Sequence, residues 1–345
     1  MPTPLRSLSL ACRVVMDMHA LNNEGNEGNR LMTRQVGIVT PAPQENGAND
    51  YKRFTVNAIS GDMNKHIFAD AFRHIAVDLE LPVCPACQAL DPARMMGNLD
   101  FQEYVDARPA PPIQEIIDHL LACAVDDVCG IMITGQGVSV KRKSAVEFGW
   151  TVGLPDITEA QEFIHARHAI TRLTRARPDR DADEAARQDA AAERQRNIGQ
   201  MVFTRPASSG VYAFVAHLDV AAIGFNDASQ TYPEHVRDRA RRLRAALMAL
   251  AQTVLHPKGA LTSTQLPHVV DAQGFVSVSS SAAAAPLLSP LADNFMDRGS
   301  EIARLINRLH GENAVQVLPF DGSEGLLGRL ADVIENTEPG QYRRE

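Results

Sequence analysis

The residues of this 345-residue chain best suited to chemistry are amides, guanidinium groups and ammonium groups, gathered in three clusters. Between Leu21 and Val39 lie Asn22, Asn23, Asn26, Asn29, Arg30, Arg34 and Gln35, interleaved with Gly25 and Gly28. Neutral amides, backbone N–H groups exposed by glycine and a few cations suit gripping the sugar-phosphate backbone of a single strand. They do not suit reading its bases. A second set, Asn64, Lys65 and Arg73, falls on the outward side of a helix expected to start behind Ser60 and Gly61. Ser60 is the expected N-cap, and the orphan N–H groups of a first turn attract anions, although Asp62 in that turn repels phosphate. The third set is the run Lys141, Arg142, Lys143 and Ser144.

Metal chemistry has a weaker signal. Cys84 and Cys87 form a single CxxC, and Cys123 and Cys129 are the residues available to complete four ligands. Tetrahedral zinc needs a full set, and one CxxC supplies half of it. Free cysteine also packs as a small hydrophobe, so the expectation is unmetallated thiols and no cofactor. Five cysteines without a regular framework fit reduced thiols in a cytoplasm. His19, His66, His165 and His168 have no spacing that marks a catalytic set.

The elements that must position these groups follow from periodicity. An apolar strand is expected over 7–19 and a helix over 62–79, with Met63, Ile67, Phe68, Ala71, Ile75 and Leu79 as its buried stripe. Strands are expected near 125–152 and 201–224, a second helix over 235–254 with Leu243, Leu247, Leu250 and Val254 inward, and a last strand near 266–280. This order is that of an α+β, β-α-β-β-α-β core of the ferredoxin-like or RNA-recognition type. The aromatic signature of ordinary RNA-recognition modules is absent, so stacking of bases on the sheet is not expected. Two stretches interrupt the core: 80–122, rich in proline, and 155–200, whose charge alternation and alanines suggest an exposed helical or partly disordered excursion.

Composition bounds the function. With 45% hydrophobic residues the chain can bury a large core, as one elaborated domain or two. No signal-like leader and no long apolar run is visible, which points to the cytoplasm. The net charge of −8 counts against nucleic-acid binding, but the acidity is local. Residues 74–120 carry two Arg against eight acids, whereas 135–149 is net positive and 235–258 has five Arg and one Lys against one Asp. A basic track on an acidic protein is therefore permitted.

Four segments, taken in order, resemble one family: LSLACRVVMDMHALN running through NAISGDMNKHIFADAFR at 8–73, CAVDDVCGIMITGQGVSVKRKSAVEFGWTVGLP at 123–155, GQMVFTRPASSGVYAFVAHLDVAAIG at 199–224, and KGALTSTQLPHVV at 258–270. They look like the DevR-type Cas-seven family, the CRISPR RNA-binding backbone subunit of type I Cascade. The specificity lies in the order and context of these segments, since glycine turns and Lys-Arg runs are individually common.

The resemblance implies a palm built from 7–79, 123–154 and 201–280, a fingers insertion at 80–122, a thumb-containing insertion at 155–200 and a C-terminal segment at 281–345. It implies head-to-tail stacking along CRISPR RNA, pairing of the guide with target DNA, and contact with the large, small, cap and guide-processing Cascade subunits. RNA contact is then expected from the three clusters and from Met201, Phe203 and Arg205 where the thumb returns, although core packing at strand alternation accounts equally for Met201 and Phe203. Catalysis is not expected. Related type III subunits cut RNA with an acidic residue after the first strand, and here that stretch holds Glu24 and Glu27 but no aspartate. An RNA-cleaving subunit of that kind and a free-standing regulator are the alternatives.

Overall fold

A computed structural model describes residues 2–28, 30–43, 49–108, 110–135, 138–168 and 200–342. Asn29 and most of the expected thumb, 169–199, lie outside the described residues. The architecture is mixed α/β, dominated by a large and chiefly antiparallel sheet of ten strands among the described residues. A short parallel pair, β1 (Thr3–Leu5) and β14 (Thr337–Pro339), joins the two ends of the chain.

The sheet is organised around β2 (Ser7–His19), whose residues alternate between two covered faces. Leu8, Leu10, Cys12, Val14 and Met16 enter the main core, while Ala11 packs with Phe275 and Phe295 on the other side. Strands β11 (Gln200–Asp219) and β12 (His268–Ser279) flank β2, both antiparallel. Outside β11 run β9 (Val146–Phe148) and β10 (Thr151–His168); outside β12 runs β13 (Val315–Phe320). The helices covering the main core are α1 (Gly61–Asp78) and α6 (Arg239–Leu255), each within a residue or a few of its expected span. Leu243, Leu247, Leu250 and Val254 of α6 are buried as the 3.6-residue period requires. The C-terminal segment adds α7 (Phe295–His310) and α8 (Gly322–Asn336), and Leu326, Leu330 and Val333 of α8 extend the same core.

Three elements differ from their expected form. The Asn-Gly stretch after β2 is a hairpin, β3 (Asn23–Glu27) with β4 (Arg30–Thr33), because Glu27 pairs with Arg30 across a turn that Gly28 enters at φ +61°. A second hairpin follows, β5 (Gln35–Pro43) with β6 (Asn49–Ile59). Residues 155–168, read as part of a helical or disordered excursion, continue β10 and pair with β11 in a long ribbon, with Phe163 opposite Arg205 and His165 opposite Phe203. The region near 125, read as strand, is helix: the stretch 80–130 builds α2 (Pro85–Gln88), a 3₁₀ turn at Arg94–Gly97, α3 (Leu99–Asp106), α4 (Ile113–Ala122) and α5 (Ala124–Cys129) before the hairpin β7 (Ile131–Gly135) and β8 (Val138–Arg142). Among the described residues no helix is long and apolar enough to cross a membrane.

His19, closing β2, has a measurable consequence. It is buried edge-on against Tyr212 at 4.9 Å, and neither ring nitrogen has a hydrogen-bond partner among the described residues. Burial lowers the imidazole pKa from 6.5 to about 4. The unfolded chain therefore takes up a proton in that interval that the folded chain does not. The contribution of His19 to stability should fall by roughly 3 kcal/mol as the pH drops from 6.5 to 4. Urea melts of the wild type and a His19→Phe variant at both ends of that window test it; an identical pH slope in the two proteins would exclude His19 as the source.

Candidate nucleic-acid interface

The structure brings part of the predicted basic set together around an open cleft of about 900 Å³. Its walls are the start of α1 with Gly61, Asp62 and Lys65, the turn at Pro92–Arg94, the β7–β8 hairpin with Lys141, and the crossing segment that carries Lys143, Ser144 and Trp150. Two glycines make this approach possible. A Cβ on Gly61 would lie 2.8 Å from the Phe148 carbonyl oxygen. Gly130, at φ +67°, lets the chain turn into β7 where a Cβ would sit 2.7 Å from the Arg142 carbonyl oxygen.

Within the cleft Lys141 and Lys143 are exposed and Lys65 is half-buried. Lys143 reaches Glu147 at 2.7 Å, and that hydrogen bond raises its pKa. So exposed a pair is readily exchanged for a phosphate. Ser144 turns its hydroxyl to the Val146 carbonyl at 2.7 Å and so shapes the wall. Trp150, 41% exposed, contributes a flat aromatic face, with the Arg34 guanidinium 5.6 Å from its ring centroid. Arg34 also lies 3.7 Å from Glu24.

Other predicted residues sit outside this cleft. Asn23, Asn26 and Arg30 are carried by the β3–β4 hairpin, which leans on the ribbon: Arg30 pairs with Thr204 in register and binds Glu162 at 2.6 Å. Beside that contact, Phe203 stacks on His165 at 5.6 Å, and Arg205 lies over Phe203 while donating to Thr264. Met201 is opposite Arg167 on the ribbon backbone. Gln35 opens β5 and is exposed. Arg73 is held by Asp70 and by the Gln88 carbonyl, away from the cleft.

Three expected contacts are corrected by burial. Asn22 is buried and its Oδ1 accepts from the Ser60 N–H at 2.7 Å. Asn64 is buried on the inner face of α1, donating to the Gly149 carbonyl and the Thr151 hydroxyl at 3.0 and 2.8 Å. Arg142, 4% exposed, binds Asp127 at 2.6 Å and the carbonyls of Phe225 and Ala222. None of the three can reach a strand in solvent. The anion site expected at the start of α1 is also partly filled, since the Ser60 hydroxyl accepts from the Met63 N–H and the Ser60 N–H is taken by Asn22.

Trp150 is the residue that sequence reasoning passed over. Its signal was visible: it is the chain's one tryptophan, set beside Gly149 between two strands.

A family model described as CRISPR-associated negative auto-regulator DevR/Csa2 matches residues 10–299. No curated protein matches the sequence. Among solved structures, a chain described as a CRISPR RNA-guided surveillance complex, pre-nicking, aligns at 11% identity and a TM-score of 0.43, over 89% of this chain and 90% of that one. A second, described as a CRISPR RNA-guided surveillance complex, aligns at 9% identity and a TM-score of 0.38, over 94% and 99% of the two chains.

Proposed function

The chain belongs to the DevR/Csa2 family of CRISPR-associated proteins, and from that premise we propose that it is a non-catalytic backbone subunit that binds CRISPR RNA and leaves the guide free to pair with target DNA. The cleft where Lys65, Lys141 and Lys143 surround the exposed Trp150 supports this reading best. Ammonium groups meet phosphates whatever the base, and an exposed indole stacks on any base face. Such a site grips a strand of arbitrary sequence, which is what a variable guide requires.

In this reading β2, β9, β11 and β12, with α1 and α6 on one face, form a ferredoxin-like palm: the sheet order β12-β2-β11-β9 matches the β-α-β-β-α-β connection. The stretch 80–122 acts as fingers and the β10–β11 ribbon carries the thumb. Copies stack head to tail through an interface that does not close on itself, and bind the other Cascade subunits at the ends and sides of the filament. No cleavage of paired RNA is expected with a divalent metal present.

The experiment is single-stranded RNA binding by the purified protein at several salt concentrations. Affinity should vary little among unrelated sequences and fall steadily with salt as phosphate contacts release counterions. Trp150→Ala should weaken binding roughly 10-fold, the loss of one base–aromatic stack of about 1–3 kcal/mol, without changing the salt slope. A protein that binds no single-stranded RNA at low salt overturns the proposal. The family description also names a negative auto-regulator. A free regulator would instead prefer one duplex DNA sequence over random RNA, and the same titration separates the two.

A further inference from the structure

We propose that Cys84, Cys87, Cys123 and Asp126 form a structural zinc site that clamps the segment before α3 onto α5. The three sulfurs and one carboxylate oxygen all lie within 4.8 Å of one another. Cys84 and Cys87 bracket the single turn of α2, Cys123 joins α4 to α5, and Asp126 stands in the first turn of α5. Asp126 oxygens are 3.6 Å from the Cys87 sulfur and 3.9 Å from the Cys84 sulfur. Tetrahedral zinc with bonds of about 2.3 Å to sulfur and 2.0 Å to oxygen separates its ligand atoms by roughly 3.5 Å. Small side-chain adjustments therefore close the set on one ion.

The surroundings fit a metal-bound thiolate cluster. The Cys87 N–H points at the Cys84 sulfur and the Cys84 N–H at the Cys123 sulfur, each at 3.4 Å, as donors that favour thiolate over thiol. Arg94 holds the Asp126 carboxylate at 3.1 Å, and its other nitrogens bind the carbonyls of Gly130 and Val125. That is how an outer partner fixes a ligand's orientation and offsets the excess negative charge of three thiolates and a carboxylate. Without an ion, a wholly buried carboxylate would face three sulfurs with a single cation beside it, a costly arrangement. Three of the four donors are soft sulfurs, a set that selects zinc over calcium or magnesium.

The fold supplies a reason for the clamp. Between α1 and α3 the chain has only the four-residue α2 and a 3₁₀ turn, and α2 buries just Ala86 and Cys87. Coordination would add a cross-link to the apolar contacts that Leu81, Val83 and Met95 make with the core, as it does in small metal-stapled folds. Cys129, which sequence spacing would recruit, lies outside the ligand cluster, and Cys12 sits in the apolar core of β2.

The test uses full-length protein without a chelating tag, stripped of nucleic acid, so its outcome is independent of the RNA-binding reading. Metal analysis after dialysis against a chelating resin should give about one zinc per chain. Titration of the native thiols with a mercurial should release it stoichiometrically. Cobalt-loaded protein should display the intense visible bands of tetrahedral coordination and sulfur-to-cobalt charge transfer, a readout on the wild type that needs no variant. Cys129→Ser should keep the metal, whereas Cys84→Ser with Cys87→Ser should lose it. Folded protein that holds no zinc and takes up cobalt without charge-transfer bands overturns the proposal, as does loss of the metal in Cys129→Ser alone.

Discussion

Asp127→Ala should lower the unfolding free energy by roughly 3–5 kcal/mol, the cost of stranding buried charge. Asp127 is wholly buried in α5 and collects donors from three other parts of the chain. Arg142 of β8 reaches one carboxylate oxygen at 2.6 Å, Arg242 of α6 reaches the other at 2.8 Å, and the Gly224 N–H donates at 2.9 Å. Removing the carboxylate leaves two guanidinium groups, 4% and 1% exposed, with Asp238 alone to balance them through Arg242 at 2.9 Å. Asp127→Asn preserves the shape but turns an N–H toward existing donors, so it should also destabilise. Urea denaturation measures both. Glu301→Ala is the matched control, since the Glu301–Arg304 pair at 2.6 Å is open to water and its removal should leave the midpoint unchanged. An unaltered midpoint in Asp127→Ala would mean that the buried arginines do not depend on this carboxylate.

The same network explains what the sequence did and did not disclose. Lys141, Arg142 and Lys143 read as one basic patch because charge is visible and orientation is not. Period-two alternation nevertheless sends Arg142 inward when its neighbours point outward, and its partner at Asp127 is fifteen residues away, a pairing only the fold creates. Asn64 is a similar case: it lies one turn before Phe68 on the buried stripe of α1, so helical spacing puts an amide inside, where Gly149 and Thr151 satisfy it. The helices α1 and α6 were legible because each has a long apolar period, and Ser60 was legible as a cap because its hydroxyl acts within the first turn.

Short apolar runs were less informative. Ala124–Cys129 is too brief for its period to separate helix from strand, and the partners of its two aspartates are distant in sequence. The residues 155–168 read as an excursion because their charges dominate the composition, but strand pairing with β11 decides their conformation. For the cysteines, spacing left Cys123 and Cys129 equally available beside the CxxC, with unmetallated thiols as the expectation. The fold gathers Cys84, Cys87 and Cys123 with the carboxylate of Asp126, three residues past Cys123, and leaves Cys129 outside that group.

Lys65→Glu, Lys141→Glu and Lys143→Glu, combined in one chain, should weaken single-stranded RNA binding on the order of 100-fold at low salt, taking about 1 kcal/mol for each phosphate that no longer meets an ammonium group. All three side chains line the one cleft, and none is buried. Fold and melting midpoint should therefore persist. Arg142 is left intact because reversing its charge would place two carboxylates together in the core beside Asp127. At Lys143 the reversal also sets a carboxylate against Glu147, so the variant repels phosphate as well as failing to bind it. Each ammonium–phosphate pair removed from a single strand should reduce the salt slope by about 0.7, or roughly 2 for the three together. The weakening should be uniform across unrelated RNA sequences, because such pairs carry no base information. A folded variant with the wild-type affinity and salt slope would move the strand to another surface, of which the ribbon face around Arg30, Phe203 and Arg205 is the first to try.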